Sequence, residues 1–137
     1  MKPLNAAQQA MLDLFQKHVK AELAGDLETT METMTDRPHL TNVPLITGGV
    51  GRKGVRDFYA NHLVGKFFPP DVEMINVSQT IGNDQIVDEL VIRFTHTQVI
   101  EWMLPGVMPT GRKVEMAVAG AEGARKVLDP TLPCRVI

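Results

Sequence analysis

The stretch QIVDELVIRFTHT, Gln85 to Thr97, joins a carboxylate and an imidazole to the alternation of a strand. Successive side chains of a strand point to opposite faces. One face therefore carries Asp88, Leu90, Ile92, Phe94 and His96, and the other Val87, Glu89, Val91, Arg93 and Thr95. Three large apolar groups are bracketed by two groups that can move protons. Asp88 and His96 stand eight residues apart, roughly 26 Å along a strand, so they serve opposite ends of a pocket and not one reaction centre. A carboxylate among apolar groups is raised toward working pH and becomes a general base. The alternative is that both are polar strand ends facing solvent or a helix cap. Glu89 and Arg93 are more simply surface charges, worth little as a pair.

A second candidate is GVGRKG, Gly49 to Gly54, which fits G-x-G-x-x-G, with Asp71 and Glu73 about 20 residues further on. The outline of a dinucleotide fingerprint fails on context. The preceding strand is short and interrupted by Pro44, and hairpins follow instead of repeated βα units. What survives is local: backbone N–H groups at a helix start, with Arg52 and Lys53, can hold an anion. The other reading is a glycine turn with solvated basic residues. His18, His39, His62 and His96 lack ligand spacing, so no metal site is expected. Neither a G-x-S-x-G serine nor a placed cysteine nucleophile is indicated. Tyr59 and Trp102 either line a pocket or pack in the core.

The elements that must position these groups are readable. Asn5 opens a first helix with Gln8 as capping-box partner. Ala7, Ala10, Met11, Leu14, Phe15, Val19 and Leu23 recur at helical spacing until Gly25. Asp26 caps a shorter helix with Leu27, Met31 and Met34 on one side, ended by Asp36-Arg37-Pro38. His39 to Val43 reads as a short strand, and TGGVGRKG as a glycine-rich turn. Val55, Phe58, Tyr59, His62 and Leu63 mark a third helix, ending by Gly65. From Asp71 the period changes to two. Val72–Ile81, the turn Gly82-Asn83-Asp84, and Gln85 to about Ile100 form a hairpin. After the connection MLPGVMPTG, Arg112 to Val118 is a third antiparallel strand. The tail AGAEGARKVLDPTLPCRVI shows little alternation. Helices first and hairpin strands afterwards give an α+β plan, with helices on one face of an antiparallel sheet.

The 137 residues make one domain by length. A chain of this size buries roughly 70% of its unfolded surface without a disulfide or metal. The single cysteine, Cys134, has no partner in the chain, so a reducing cytoplasm is the simplest compartment. A net charge of −2 predicts neither a nucleic-acid nor an anionic-membrane partner. No apolar run approaches the length of a membrane span, and MKPLNAAQQAMLDLF is too polar for a secretory segment. Eight methionines against five phenylalanines suggest an adaptable core or pocket.

The element order resembles the nuclear transport factor 2-like superfamily, which includes ketosteroid isomerases and SnoaL-like polyketide cyclases. The stretches MTDRPHLTNVPLITGG, GVRDFYANHLVGKFFPPDVE, DELVIRFTHT and WMLPGVMPTGRKVE, from about Met34 to Glu115, are similar to a SnoaL-like group. The resemblance implies a cone-like fold, a curved antiparallel sheet wrapped round the three helices and enclosing an apolar pocket, with frequent dimerisation. It departs after GRKVE, where the group continues into two further strands, so the last strands are expected to be missing or altered. The implied function is a small-molecule pocket protein, cofactor-free, abstracting a proton next to a carbonyl in a cyclisation, aldol or isomerisation reaction. Asp88 or His96 is then the base, and Tyr59 or His39 the donor to the developing oxyanion. Leu90, Ile92, Phe94 and Trp102 form the apolar wall around a small carbonyl ligand. The alternatives are a non-catalytic binding or dimerisation module, or an inactive product opened by the lost strands.

Overall fold

The computed structural model describes residues 2–43, 45–62 and 66–123. The end of the third helix near Gly65, Cys134 and the fate of the last strands lie outside those residues.

Helix α1 (Ala6–Ala24) begins where the sequence places it. The Asn5 Oδ1 accepts from the Gln8 N–H at 2.8 Å, and the Gln8 Oε1 accepts from the Asn5 N–H at 3.0 Å, closing a capping box. The Gln8 amide also donates to the carbonyls of Ile81 and Gly82, at 3.4 and 3.2 Å, which ties the helix start to a sheet turn. Gly25 ends α1 at φ 70°, with its N–H on the Ala21 and Glu22 carbonyls, a left-handed cap that suits glycine. Asp26 then caps α2 (Leu27–Glu32) through the Thr29 N–H.

The packed stripe of α1 is rotated from the expected one. Leu14 and Leu23 are 48% and 52% exposed, while Met11, Phe15, His18 and Glu22 are half-buried. Two polar residues replace two leucines on the inward face because they have partners there. The His18 Nδ1 meets the Thr33 hydroxyl at 2.7 Å, and Glu22 meets Tyr59.

Strands β1 (His39–Asn42) and β2 (Thr47–Val50) pair antiparallel, His39 opposite Val50. The glycine-rich stretch read as a turn is therefore half strand, and α3 (Gly51–His62) starts directly after it. The glycines permit this by their missing side chains. A Cβ at Gly48 would stand 1.9 Å from the Leu40 carbonyl oxygen, and one at Gly49 would stand 2.3 Å from that of Gly54. Helix α3 buries Val55, Phe58 and Tyr59.

The larger sheet has the order β3-β4-β5, all antiparallel: β3 (Glu73–Ile81), β4 (Gln85–Thr95) and β5 (Lys113–Gly123). A bulge between Asn76 and Ser78 interrupts β3, and such an extra residue bends a strand. Two boundaries differ from the sequence reading by more than one residue. The β4 strand stops at Thr95, short of Ile100; His96 instead clasps the closing connection, donating to the Arg112 carbonyl and accepting from the Gly111 N–H, both at 2.9 Å. The β5 strand runs five residues past Val118, to Gly123, because its backbone continues the ladder on Gln85–Glu89 although its small side chains carry no alternation. On the Asp88 face of β4, Ile92 and Phe94 are buried, as is His96 just past its end, while Asp88 and Leu90 are half-buried; on the other face Glu89 and Arg93 are exposed.

Two apolar clusters result. One joins Met31, Val55, Phe58 and Tyr59. The other joins Ile92, Phe94 and Ile100. Trp102 packs against both, stacks on Phe67 at 4.9 Å and donates its indole N–H to the Phe67 carbonyl at 3.1 Å. The protein is thus α+β, with its helices in the N-terminal half. Among the described residues no helix is long and apolar enough to cross a membrane.

Candidate functional site

Proton chemistry concentrates where α1 meets α3. Tyr59 is 2% exposed on the inward face of α3. Its hydroxyl interacts with the carboxyl of Glu22, one helix away. Burial pushes the Glu22 carboxyl up to about 7; the Tyr59 hydroxyl opposes that rise, and the charge of Glu122 adds to it. Burial also drives the Tyr59 hydroxyl upward, with the Glu22 charge next, so the phenol stays protonated. His18, one turn before Glu22 on the same face, is lowered by burial. Its ring stands edge-on to that of Tyr59, the centroids 6.4 Å apart, and its Thr33 partner passes a hydrogen bond on to the Thr30 carbonyl at 2.6 Å. The arrangement pairs a carboxyl that exchanges protons near neutrality with a phenol that only donates.

The sheet supplies a second pair of acids. Asp88 is half-buried on the inward face of β4 and accepts from the Gln79 amide at 2.8 Å. It pairs with Gly120 of β5, and Glu122 pairs with Ile86, so Asp88 and Glu122 are diagonal neighbours on one face. The protein around Glu122 and, second, the like charge of Asp88 raise the Glu122 carboxyl. Glu122 as a whole residue is nonetheless exposed. Among the described residues, a Cβ at Gly120 would meet nothing within 4 Å. The missing side chain leaves open space beside both carboxylates.

The other candidate residues are dispersed. His96 is 2% exposed beyond the end of β4; its Nδ1 meets the Thr110 hydroxyl at 3.3 Å, and its Nε2 has no partner among the described residues. His39 is exposed on β1. Arg52 donates to the carbonyls of Thr35 and Met31, at 3.1 and 3.2 Å, where it closes the end of α2. Lys53 pairs with Asp57 one turn along α3 at 2.5 Å. Ile92 and Phe94 are core, with Leu90 and Trp102 packed against them. Among the described residues no group of three His, Cys, Asp or Glu could hold a metal ion. Two shallow clefts open elsewhere: one of about 300 Å³ beside His62, Lys66 and Glu101, and one of about 290 Å³ between the end of α1 and Phe67–Val72.

The structure sets Tyr59 beside the carboxyl of Glu22, not beside Asp88 or His96. His18, Glu22 and Glu122 escaped the sequence reading. The signal was present in α1, where Met11, Phe15, His18 and Glu22 share the 3.6-residue period. It was masked by Leu14 and Leu23, which are more apolar and equally periodic. No family model and no curated protein matches the chain significantly.

Proposed function

We propose that the chain is a SnoaL-like small-molecule pocket protein that abstracts a proton next to a carbonyl of a small apolar ligand, without a cofactor. The feature that carries this reading is the placement of the Glu22 carboxyl beside the buried Tyr59, where burial pushes it up to about 7. In its charged form Glu22 takes the α-proton, the C–H electron pair moves toward the carbonyl, and Tyr59 donates to the oxygen that gains charge. Glu22 is preferred to Asp88 or His96 as base because it alone faces the phenol. Asp88 and the space at Gly120 define the sheet side of the ligand site. The protein acts in this reading as a cytoplasmic homodimer. A second reading, a binding or dimerisation module, draws support from the filled inward face of β4, where Ile92 and Phe94 are 5% and 3% exposed.

The test is deuterium exchange of the α-protons of a panel of cyclic ketones in D2O, followed by NMR. The proton-transfer reading expects exchange above the buffer rate, rising with pH through about 7 as Glu22 loses its proton, abolished by Glu22→Gln and weakened by Tyr59→Phe. Ketones that bind without exchange favour the module. Exchange that survives Glu22→Gln removes that residue as the base.

A further inference from the structure

The cleft between the end of α1 and the Phe67–Val72 segment has a build of its own. Leu23, Phe67, Phe68, Pro70 and Val72 form its apolar sides, and Lys66 and Gln98 its polar ones. The apolar wall is braced before any ligand arrives. Phe68 stands edge-on to Phe67 at 5.0 Å and to Trp102 at 5.5 Å, and Phe67 is stacked on Trp102. The position of Lys66 is held as well, since the Gln98 amide donates to its carbonyl at 3.1 Å. No carboxylate pairs with the Lys66 ammonium among the described residues; Glu101 shares only the neighbouring cleft with it. The end of α1 is closed at this point, with the Gly25 N–H on the Ala21 and Glu22 carbonyls and the Asp26 N–H on that of Ala21. Fewer bare acceptors are therefore left to repel an anion.

We infer that this cleft binds a small amphipathic carboxylate, its tail on Phe67, Phe68 and Leu23 and its head on Lys66. The charge fits: a lone ammonium at the edge of an apolar wall selects an anion with a hydrocarbon body. The size fits as well, since a space of about 290 Å³ lies at the small end of ligand pockets and takes a chain of about eight carbons. The wall is half open to water, so the match is a weak and exchangeable one. This site is separate from Glu22 and Tyr59, and its occupancy does not depend on the proton-transfer reading.

The probe is octanoate, below its micelle concentration, against octanol as the uncharged control. The readouts are the fluorescence of Trp102, the sole tryptophan, and backbone amide shifts. Saturable octanoate binding is expected, with shifts confined to Leu23–Gly25, Lys66–Phe68 and Gln98. Lys66→Gln is expected to weaken octanoate by about three- to fivefold, the worth of a solvent-exposed ion pair, and to leave octanol unchanged. Leu23→Glu, at a position that is 52% exposed and so tolerant of charge, is expected to abolish octanoate binding. Equal affinity for octanoate and octanol, octanoate binding unaltered in either variant, or no saturable binding would each overturn the assignment.

Discussion

Replacing Glu22 by glutamine should change how stability depends on pH. Folding raises the Glu22 carboxyl from 4.5 to about 7. The folded protein therefore holds more protons than the unfolded chain between those values, and stability falls as pH rises through that window. At about 1.4 kcal/mol for each tenfold change, the interval amounts to roughly 3 kcal/mol. The penalty is absent below pH 4.5 and complete above about 7. His18 and His62, both lowered mainly by burial, act in the same window with the opposite sign, because their protonation opposes folding. Glu122 adds to the Glu22 slope. Only the difference between wild type and variant isolates the residue. Urea denaturation at pH 5 and pH 8 is the assay. Glu22→Gln should be stabilised by about 2–3 kcal/mol relative to wild type at pH 8, and by about 1 kcal/mol or less at pH 5. An equal effect at both pH values would mean that Glu22 is ionised and solvated in the folded protein, and the proposed base would lose its basis.

Other substitutions test the frame around the site. Gly48→Ala, which forces a Cβ to 1.9 Å from the Leu40 carbonyl oxygen at φ 143°, should cost about 3 kcal/mol or more; a urea midpoint unchanged from wild type would show that β1 and β2 do not approach so closely. His96→Leu removes a buried imidazole whose Nε2 has no partner among the described residues and loses one long contact to Thr110. A gain of about 1 kcal/mol is expected, and a loss above about 2 kcal/mol would reveal a partner for Nε2. The β3 strand is exposed on both faces, with Ile75 and Val77 at 39% and 63%, and such an edge recruits another chain. Sedimentation at tens of micromolar should show a dimer that Val77→Lys converts to monomer; a wild-type monomer would contradict the pairing.

The sequence by itself determined the elements whose causes are local. The Asn5 and Asp26 caps, the Gly25 stop and the alternation of β4 each rest on residues within a few positions of one another, so they survive any tertiary context. Tertiary structure decided what local pattern leaves degenerate. Two apolar stripes compete on α1, one through Leu14 and Leu23 and one through Phe15, His18 and Glu22. Only Thr33 and Tyr59, brought over by α2 and α3, select the second. The glycines of TGGV read as a turn until the Leu40 carbonyl is seen where a Cβ would be. The β5 strand extends through AGAEG because β4 offers hydrogen-bond partners there, a property of the neighbour and not of the segment. The acid pair of the sheet has the same origin, since Asp88 and Glu122 are 34 positions apart in the chain and adjacent only through the β4–β5 register. The raised Glu22 carboxyl follows from such a meeting too: burial displaces the water that would keep it acidic, and burial belongs to the assembled protein.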